Sequence, residues 1–406
     1  MAVIQAFKAL RPAADFVSKI AALPYDVYNR AEAKEEVRKN PLSFLQIDRG
    51  ETLLDDQVSM YAPVVYETAK AKLEEMIQEG KFVFDCEEGY YLYELERQGR
   101  VQRGLVGCVL AKEYEAGIIR KHENTREVKE QDRIAHIDVL QAHTGPIFLT
   151  YPNDLKDLHF LDELVLRSEV IFEFIGEDGV RHKGYRILAQ DQGAVSGMIA
   201  KKETLYIADG HHRAASAAKI AKKYQYEGEA AAFLAVCFPA DELEIMDYNR
   251  VVTDLNGLSA DEFLKALQAD FTIVSQQKDS FKPMKKATFG MYLDNQWYGL
   301  EFKRTQEVKE DPVKNLDVSI LQDFLLRPIL GIDDPRTSER IDFVGGIRGL
   351  QELERRVHED MAVAFAMKAT TIQELMAVSD LHQLMPPKST WFEPKLKSGL
   401  FIHSIK

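Results

Sequence analysis

Apolar positions change period several times along this chain, and each change marks an element. Residues 1–30 look extended and irregular, with Pro12 and the turn LPYDVYN at 23–29. Ala31–Lys39 predicts a short helix stopped by Asn40-Pro41, and SFLQID (43–48) predicts a strand. From Tyr61 to Glu79, residues Val64, Val65, Ala69, Leu73, Met76 and Ile77 recur at helical spacing before Gly80 supplies a C-terminal stop. Alternation takes over in KFVFD, YYLYELER and VQRGLVGCVLAKEY, with Gly99-Arg100 as a hairpin tip. Lys129–His143 is amphipathic and reads as a helix, whereas PIFLTY (146–151), VIFEFIG (170–176), TLYIA (204–208) and AAFLAVCF (231–238) read as strands.

Past Leu255 the pattern changes. Asp261–Asp270 predicts a short helix, and 287–302 a hairpin turning at Asp294-Asn295. From Val318 the spacing reads as mostly helical, interrupted by FVGGIRGL (343–350). The tail from 385 to 406 has no periodicity, but Trp391, Phe392, Leu400, Phe401 and Ile402 are costly to leave in water, so an ordered arm packed on the body is expected. Strands interleaved with helices give an α/β (α+β) class. The expected divisions are 1–255, an α/β core; 256–310, a small α/β hairpin region; and 311–406, a helical region with an ordered terminal arm.

Composition narrows the function. The 406 residues carry a net charge of −13, which speaks against general nucleic-acid binding because phosphate contacts need clustered Lys and Arg. Three scattered cysteines, Cys86, Cys108 and Cys237, each in or beside an apolar stretch, read as buried thiols rather than disulfides or zinc ligands. No signal-peptide pattern or membrane-length apolar run is present, so a cytoplasmic protein without a membrane partner is expected.

The densest chemistry lies in TLYIADGHHRAASAAKIAK, from Thr204 to Lys222. A strand ends at Asp209-Gly210, His211, His212 and Arg213 follow at once, and strong helix formers come next. A helix N-terminus offers unpaired N–H groups and partial positive charge, and His and Arg added there build an anion site, best suited to phosphate. Gly210 allows positive φ and close ligand approach. A second polar run, Arg120-Lys121-His122-Glu123-Asn124-Thr125, lies between a strand and a helix; Glu123 among cations is a candidate general base. His136 and His143 share one helical face as either structural residues or metal ligands, and Asp26 and Asp48-Arg49 follow apolar stretches. Neither a P-loop nor a GxGxxG fingerprint occurs.

ADGHHRAASA resembles the signature of the ParB/sulfiredoxin-like nucleotide-binding fold, and its DGHHR resembles that of ParB-like free-serine kinases. LPYDV, NPLSFLQIDR, KHENT, GPIFLTY, YNRVV and MPPKSTWFEPKLKSGLFI together resemble a widespread family catalogued as domain of unknown function one-thousand-fifteen. The resemblance implies a ParB/sulfiredoxin-like core in which Gly210, His211, His212 and Arg213 hold nucleotide phosphates. It implies an ATP- or ADP-dependent phosphotransferase acting on a free hydroxyl amino acid, L-serine foremost, to give O-phosphoserine. In that reading Glu123 takes the hydroxyl proton, and Asp209 orients Arg213 or helps hold Mg²⁺. His212 and Arg213 neutralise phosphate, while Arg120, Lys121 and Asp26 bind the acceptor. The alternatives are a ParB-like nucleotide switch or NTPase acting through a protein partner, or an inert nucleotide-binding or scaffolding protein. Dimerisation is left open.

Overall fold

The computed structural model describes residues 1–406 and has a mixed α/β architecture. The chain forms two compact units, Met1–Leu243 with Pro394–Lys406, and Glu244–Glu393. The first unit is built on a nine-stranded sheet. Its main path runs Ile119–Arg120, Leu205–Asp209, Ile147–Tyr151, Ala232–Pro239, Arg100–Leu110, Tyr91–Arg97, Arg181–Arg186, Glu169–Ile175. Two pairings are parallel, Leu205–Asp209 with Ile119–Arg120 and Ala232–Pro239 with Ile147–Tyr151. The remainder of the path is antiparallel, and Ile4–Gln5 pairs with the strand Arg100–Leu110. The central strand Ala232–Pro239 is buried along its whole length, which explains its unbroken apolar run.

The helix His211–Lys223 turns Ala214, Ala217 and Ala221 into the sheet's core, where Ile147, Leu149, Leu205 and Ile207 meet it. Its other flank meets the helix Glu127–Leu140: the Ser216 hydroxyl donates to the Glu130 carbonyl at 3.1 Å, and Lys219 reaches the Glu130 carboxylate at 2.5 Å. A small four-stranded sheet takes the order Phe82–Phe84, Ala9–Pro12, Ile402–Ser404, Ala142–His143. The end of the chain is therefore a strand inside the first unit, with Leu400, Phe401 and Ile402 fully buried, as an ordered arm requires.

The second unit is a six-stranded antiparallel sheet ordered Phe271–Gln277, Gln296–Phe302, Thr288–Leu293, Val363–Ala366, Tyr248–Val252, Ile341–Gly345. Its hairpin turns at Asp294 (φ 47°) and Asn295 (φ 60°), the left-handed pair that matches strand twist. Glu244–Met246 and Trp391–Glu393 pair antiparallel and hold the two ends of this unit side by side.

Three expectations give way. The regions 256–310 and 311–406 are not separate: the sheet interleaves strands from both, and only Pro394–Lys406 belongs to the other unit. The region after 311 is not mostly helical, because Ile341–Gly345 and Val363–Ala366 are strands of five and four residues, too short to show a period. SFLQID is not a strand: Leu45–Asp48 is a helical turn, with Phe44, Leu45 and Ile47 all buried. A short run centred on Phe44, Leu45 and Ile47 does not distinguish strand from buried helix.

Candidate active site at the DGHHR turn

Asp209 is the last residue of its strand, Gly210 is the N-cap at φ 93°, and the helix starts at His211. Gly210 is needed twice over: its φ is left-handed, and a Cβ there would lie 3.1 Å from the Arg213 guanidinium. One Asp209 oxygen accepts the Gly210 N–H at 2.8 Å, and the other receives Lys395 Nζ at 3.2 Å. Burial pushes the Asp209 carboxyl up, but Lys395 and Arg213 outweigh it and hold the group far below the usual carboxylate range. Arg213 curls back beneath the turn and donates to the Pro146 carbonyl at 2.5 Å.

The two histidines act differently from the cations expected. His211 is buried, and burial together with the neighbouring His122 keeps its pKa well below the ordinary value. Its ring sits edge-on to His122 with centroids 4.4 Å apart, and its Nε2 faces the His122 backbone N–H at 3.4 Å. His212 Nε2 accepts the Arg126 backbone N–H at 3.0 Å, and burial, then Lys129, lower its pKa. Both rings are therefore neutral anchors. Positive charge at the turn comes from Arg213, from Lys395 and from the helix N-terminus.

Those same contacts bring the second candidate motif into place. His211 and His212 grip residues 122 and 126, so the loop carrying Glu123 lies against the turn although roughly 85 residues separate them in sequence. Glu123 is half-buried; Lys121 is exposed; Arg120 lies with its guanidinium 6.0 Å from the Tyr206 ring centre. Asp26 is exposed, and its charge acts on His212 and Tyr25, which places LPYDV at the same turn.

Beside Arg213 opens a cavity of about 30 Å³ whose polar lining includes Tyr25, Asp48, Arg133, Thr144 and Ser398. Arg133 stacks its guanidinium 4.0 Å from the Tyr25 ring centre and donates to the Asp48 carbonyl at 3.3 Å. Burial alone would lower Arg133, but Asp132, Tyr25 and Asp48 keep it firmly protonated. The Thr144 hydroxyl donates to the Asp48 carboxylate at 2.8 Å. His136 also lines the space as a neutral ring, pushed down to about 4 chiefly by burial, and donates Nε2–H to the Ile47 carbonyl at 3.0 Å. Arg133, Thr144, Lys395 and Ser398 escape a reading of the sequence. Lys395 and Ser398 leave one signal, KLKSG inside the tail, two lysines and small residues amid buried apolar ones.

Asp209 is the residue expected to help hold Mg²⁺. Both its oxygens are engaged, and no group of three His, Cys, Asp or Glu side chains capable of holding a metal forms around it or elsewhere. No helix is long and apolar enough to cross a membrane.

No curated protein matches the chain. Among solved structures, a free serine kinase variant in complex with AMP aligns at 12% identity and a TM-score of 0.36, over 74% of this chain and 92% of that one. SbnI with a C-terminal truncation, from Staphylococcus aureus, aligns at 12% and 0.38, over 73% and 87%. A conserved hypothetical protein from Pyrococcus furiosus aligns at 14% and 0.34, over 73% and 95%. The family described as a protein of unknown function, DUF1015, matches residues 4–319, and the protein belongs to that family.

Proposed function

We propose that this protein is a nucleotide-dependent phosphotransferase that passes a phosphoryl group from ATP or ADP to a small alcohol, free L-serine being the first acceptor to test. One observation carries the reading. Arg213, Lys395 and a helix N-terminus converge on a glycine turn, and that turn grips the loop of Glu123 and adjoins a polar cavity. Phosphoryl transfer asks chiefly for charge neutralisation and positioning, and this arrangement offers both. The phosphates lie against the backbone N–H groups of residues 211–213 with Gly210 leaving room, and Arg213 and Lys395 offset their charge. Asp209 fixes Lys395 and, through its charge, Arg213. Arg120, Lys121 and Asp26 at the rim suit the carboxylate and ammonium of an amino-acid acceptor. Glu123 on the gripped loop is the candidate to take the hydroxyl proton.

The test is a product screen with ATP, ADP and CTP against hydroxyl amino acids and sugars. Phosphoserine is the expected product. Nucleotide binding with no phosphorylated product from any acceptor would leave a nucleotide switch working through a protein partner, and no binding at all would sink both readings.

A further inference from the structure

His143 lines the cavity beside Arg213 yet takes no part in the arrangement above. It lies on the short strand Ala142–His143 opposite His403 of the chain's last strand, and the two rings meet Nδ1 to Nδ1 at 3.2 Å. His403 Nε2 in turn lies 2.9 Å from a carboxylate oxygen of Glu229, whose side chain is half exposed. His143 itself is 5% exposed, and its Nε2 has no hydrogen-bond partner.

The chain of contacts fixes where the protons sit. An ionised carboxylate only accepts hydrogen bonds, so Glu229 requires N–H at His403 Nε2. Glu229 is ionised: the hydrogen bond from His403 lowers its carboxyl, and burial opposes this only in part. A neutral His403 then presents a lone pair at Nδ1, and the Nδ1–Nδ1 contact holds only if His143 carries its proton on Nδ1. His143 Nε2 is left as a lone pair, buried and unpartnered, in a ring that lines the cavity. A buried nitrogen without a partner is a costly arrangement. His136, in the same cavity wall, satisfies its Nε2 on a backbone carbonyl.

We propose that His143 is the general base for the acceptor hydroxyl, with His403 and Glu229 as positioning residues that fix its tautomer. The proposal rests on the phosphotransferase reading. A cavity of about 30 Å³ admits a hydroxyl-bearing end of a substrate but no nucleotide, so the acceptor enters there while the phosphates stay at the turn. As the acceptor oxygen bonds to the terminal phosphorus, its proton moves to His143 Nε2. The bridging P–O bond breaks and its electron pair leaves with the shortened nucleotide. The imidazolium so formed keeps its Nδ1–H on His403 Nδ1, and once the product leaves, the Nε2 proton passes through the cavity to water and the resting tautomer returns. His143 ends neutral, which suits a site where burial holds its pKa well below the ordinary value.

The experiment has two arms on the full chain. The first needs no activity: long-range proton–nitrogen NMR of protein carrying ¹⁵N-histidine, with His143 assigned from His143→Gln. If that chain does not fold, the assignment comes from the changed pair in Glu229→Gln. The expected state is Nδ1–H with a bare Nε2. A proton on Nε2, the state required if His403 is an imidazolium, overturns the proposal whatever the activity. The second arm measures kcat and nucleotide affinity. His143→Gln should lower kcat by roughly 10²–10⁴ with affinity unchanged, the factor general-base catalysis contributes. Glu229→Gln should lower kcat by about 10–100-fold, as outer hydrogen-bond partners do at other sites, and shift the His143 tautomer equilibrium. Wild-type kcat in His143→Gln, with a large loss in Glu123→Gln, overturns the proposal and moves the base to Glu123. If wild type transfers phosphoryl to no acceptor, the phosphotransferase reading falls, and the tautomer still decides whether His143 holds a bare Nε2.

Discussion

The two units treat histidine in opposite ways. Of the ten histidines, six (His122, His136, His143, His182, His211 and His403) are buried in the unit that contains the DGHHR turn. The second unit has His358 and His382, both exposed. Its core is instead aromatic and aliphatic, with Trp297, Phe263, Phe271 and Phe289 fully buried. A buried imidazole must be kept neutral and hydrogen-bonded, at a cost an apolar side chain avoids. One unit bears that cost in six places and the other in none. Buried, polarised rings are what a reaction centre uses, and an apolar core is what a supporting unit needs.

The most severe way to break this contrast is to remove residues 394–406. That deletion strips the strand Ile402–Ser404 from between its two neighbours, removes the buried Leu400 and Phe401, and uncovers core residues they cover, Tyr91 and Phe44 among them. Expected are aggregation or loss of the cooperative transition in a thermal melt; unchanged melting and solubility would show the arm to be dispensable.

Acid offers a gentler division. Burial holds His122 and His136 down to about 4 in the folded protein against 6.5 when free. Between those values the unfolded chain binds protons that the folded one refuses. Stability is thus full above pH 6.5 and is lost as the pH falls towards 4, on the order of 3 kcal/mol per ring. Both tryptophans, Trp297 and Trp391, lie in the second unit, so their fluorescence should change at lower pH than the far-ultraviolet circular dichroism. Coincident acid transitions would erase the contrast.

Arg213→Ala tests the turn directly. Nucleotide affinity should fall by about 1.5–3 kcal/mol, the loss of a hydrogen bond to a charged group, with the melting curve little changed. Calorimetry showing wild-type affinity would remove the turn from the phosphate site.

Asp317, in the second unit, runs the other way. Burial raises its carboxyl to about 6, although the Ala287 N–H bonds it at 3.0 Å. Here the folded state binds the extra proton, so this residue's contribution falls as pH rises from about 4 to 6. Asp317→Asn keeps an acceptor for Ala287 and should stabilise the protein at pH 7 by about 1 kcal/mol while steepening its acid loss. A melting temperature lowered at pH 7 would contradict this. The smallest expected signal is none at all: with a net charge of −13, no duplex DNA shift should appear at physiological salt.

The sequence disclosed whatever its chemistry could state locally. Asp209-Gly210 announces a turn, the alanines after it announce a helix, and the helix Pro63–Gln78 was legible from its period and Gly80. The family was legible because its motifs are contiguous words. What stayed hidden depends on pairs far apart. Lys395 meets Asp209 across 186 positions, and His143 meets His403 across 260. No local pattern encodes such a meeting. The charge state of His211 and His212 was hidden for a related reason: letters that read as cations become neutral once the fold takes water away from them. The short strands of the second unit failed because four or five residues hold no period, and a sheet partner decides their state.

The pairing of Asp209 with Lys395 has a consequence for time. At about 5–20 residues per second on the ribosome, the 186 positions between them take roughly ten to forty seconds to make. For that interval the DGHHR turn has neither its lysine nor the closing strand Ile402–Ser404, while every residue of the second unit is being delivered. A newborn chain can therefore finish its second unit before it gains its anion site, so the candidate centre is assembled only after every residue of that unit has been made.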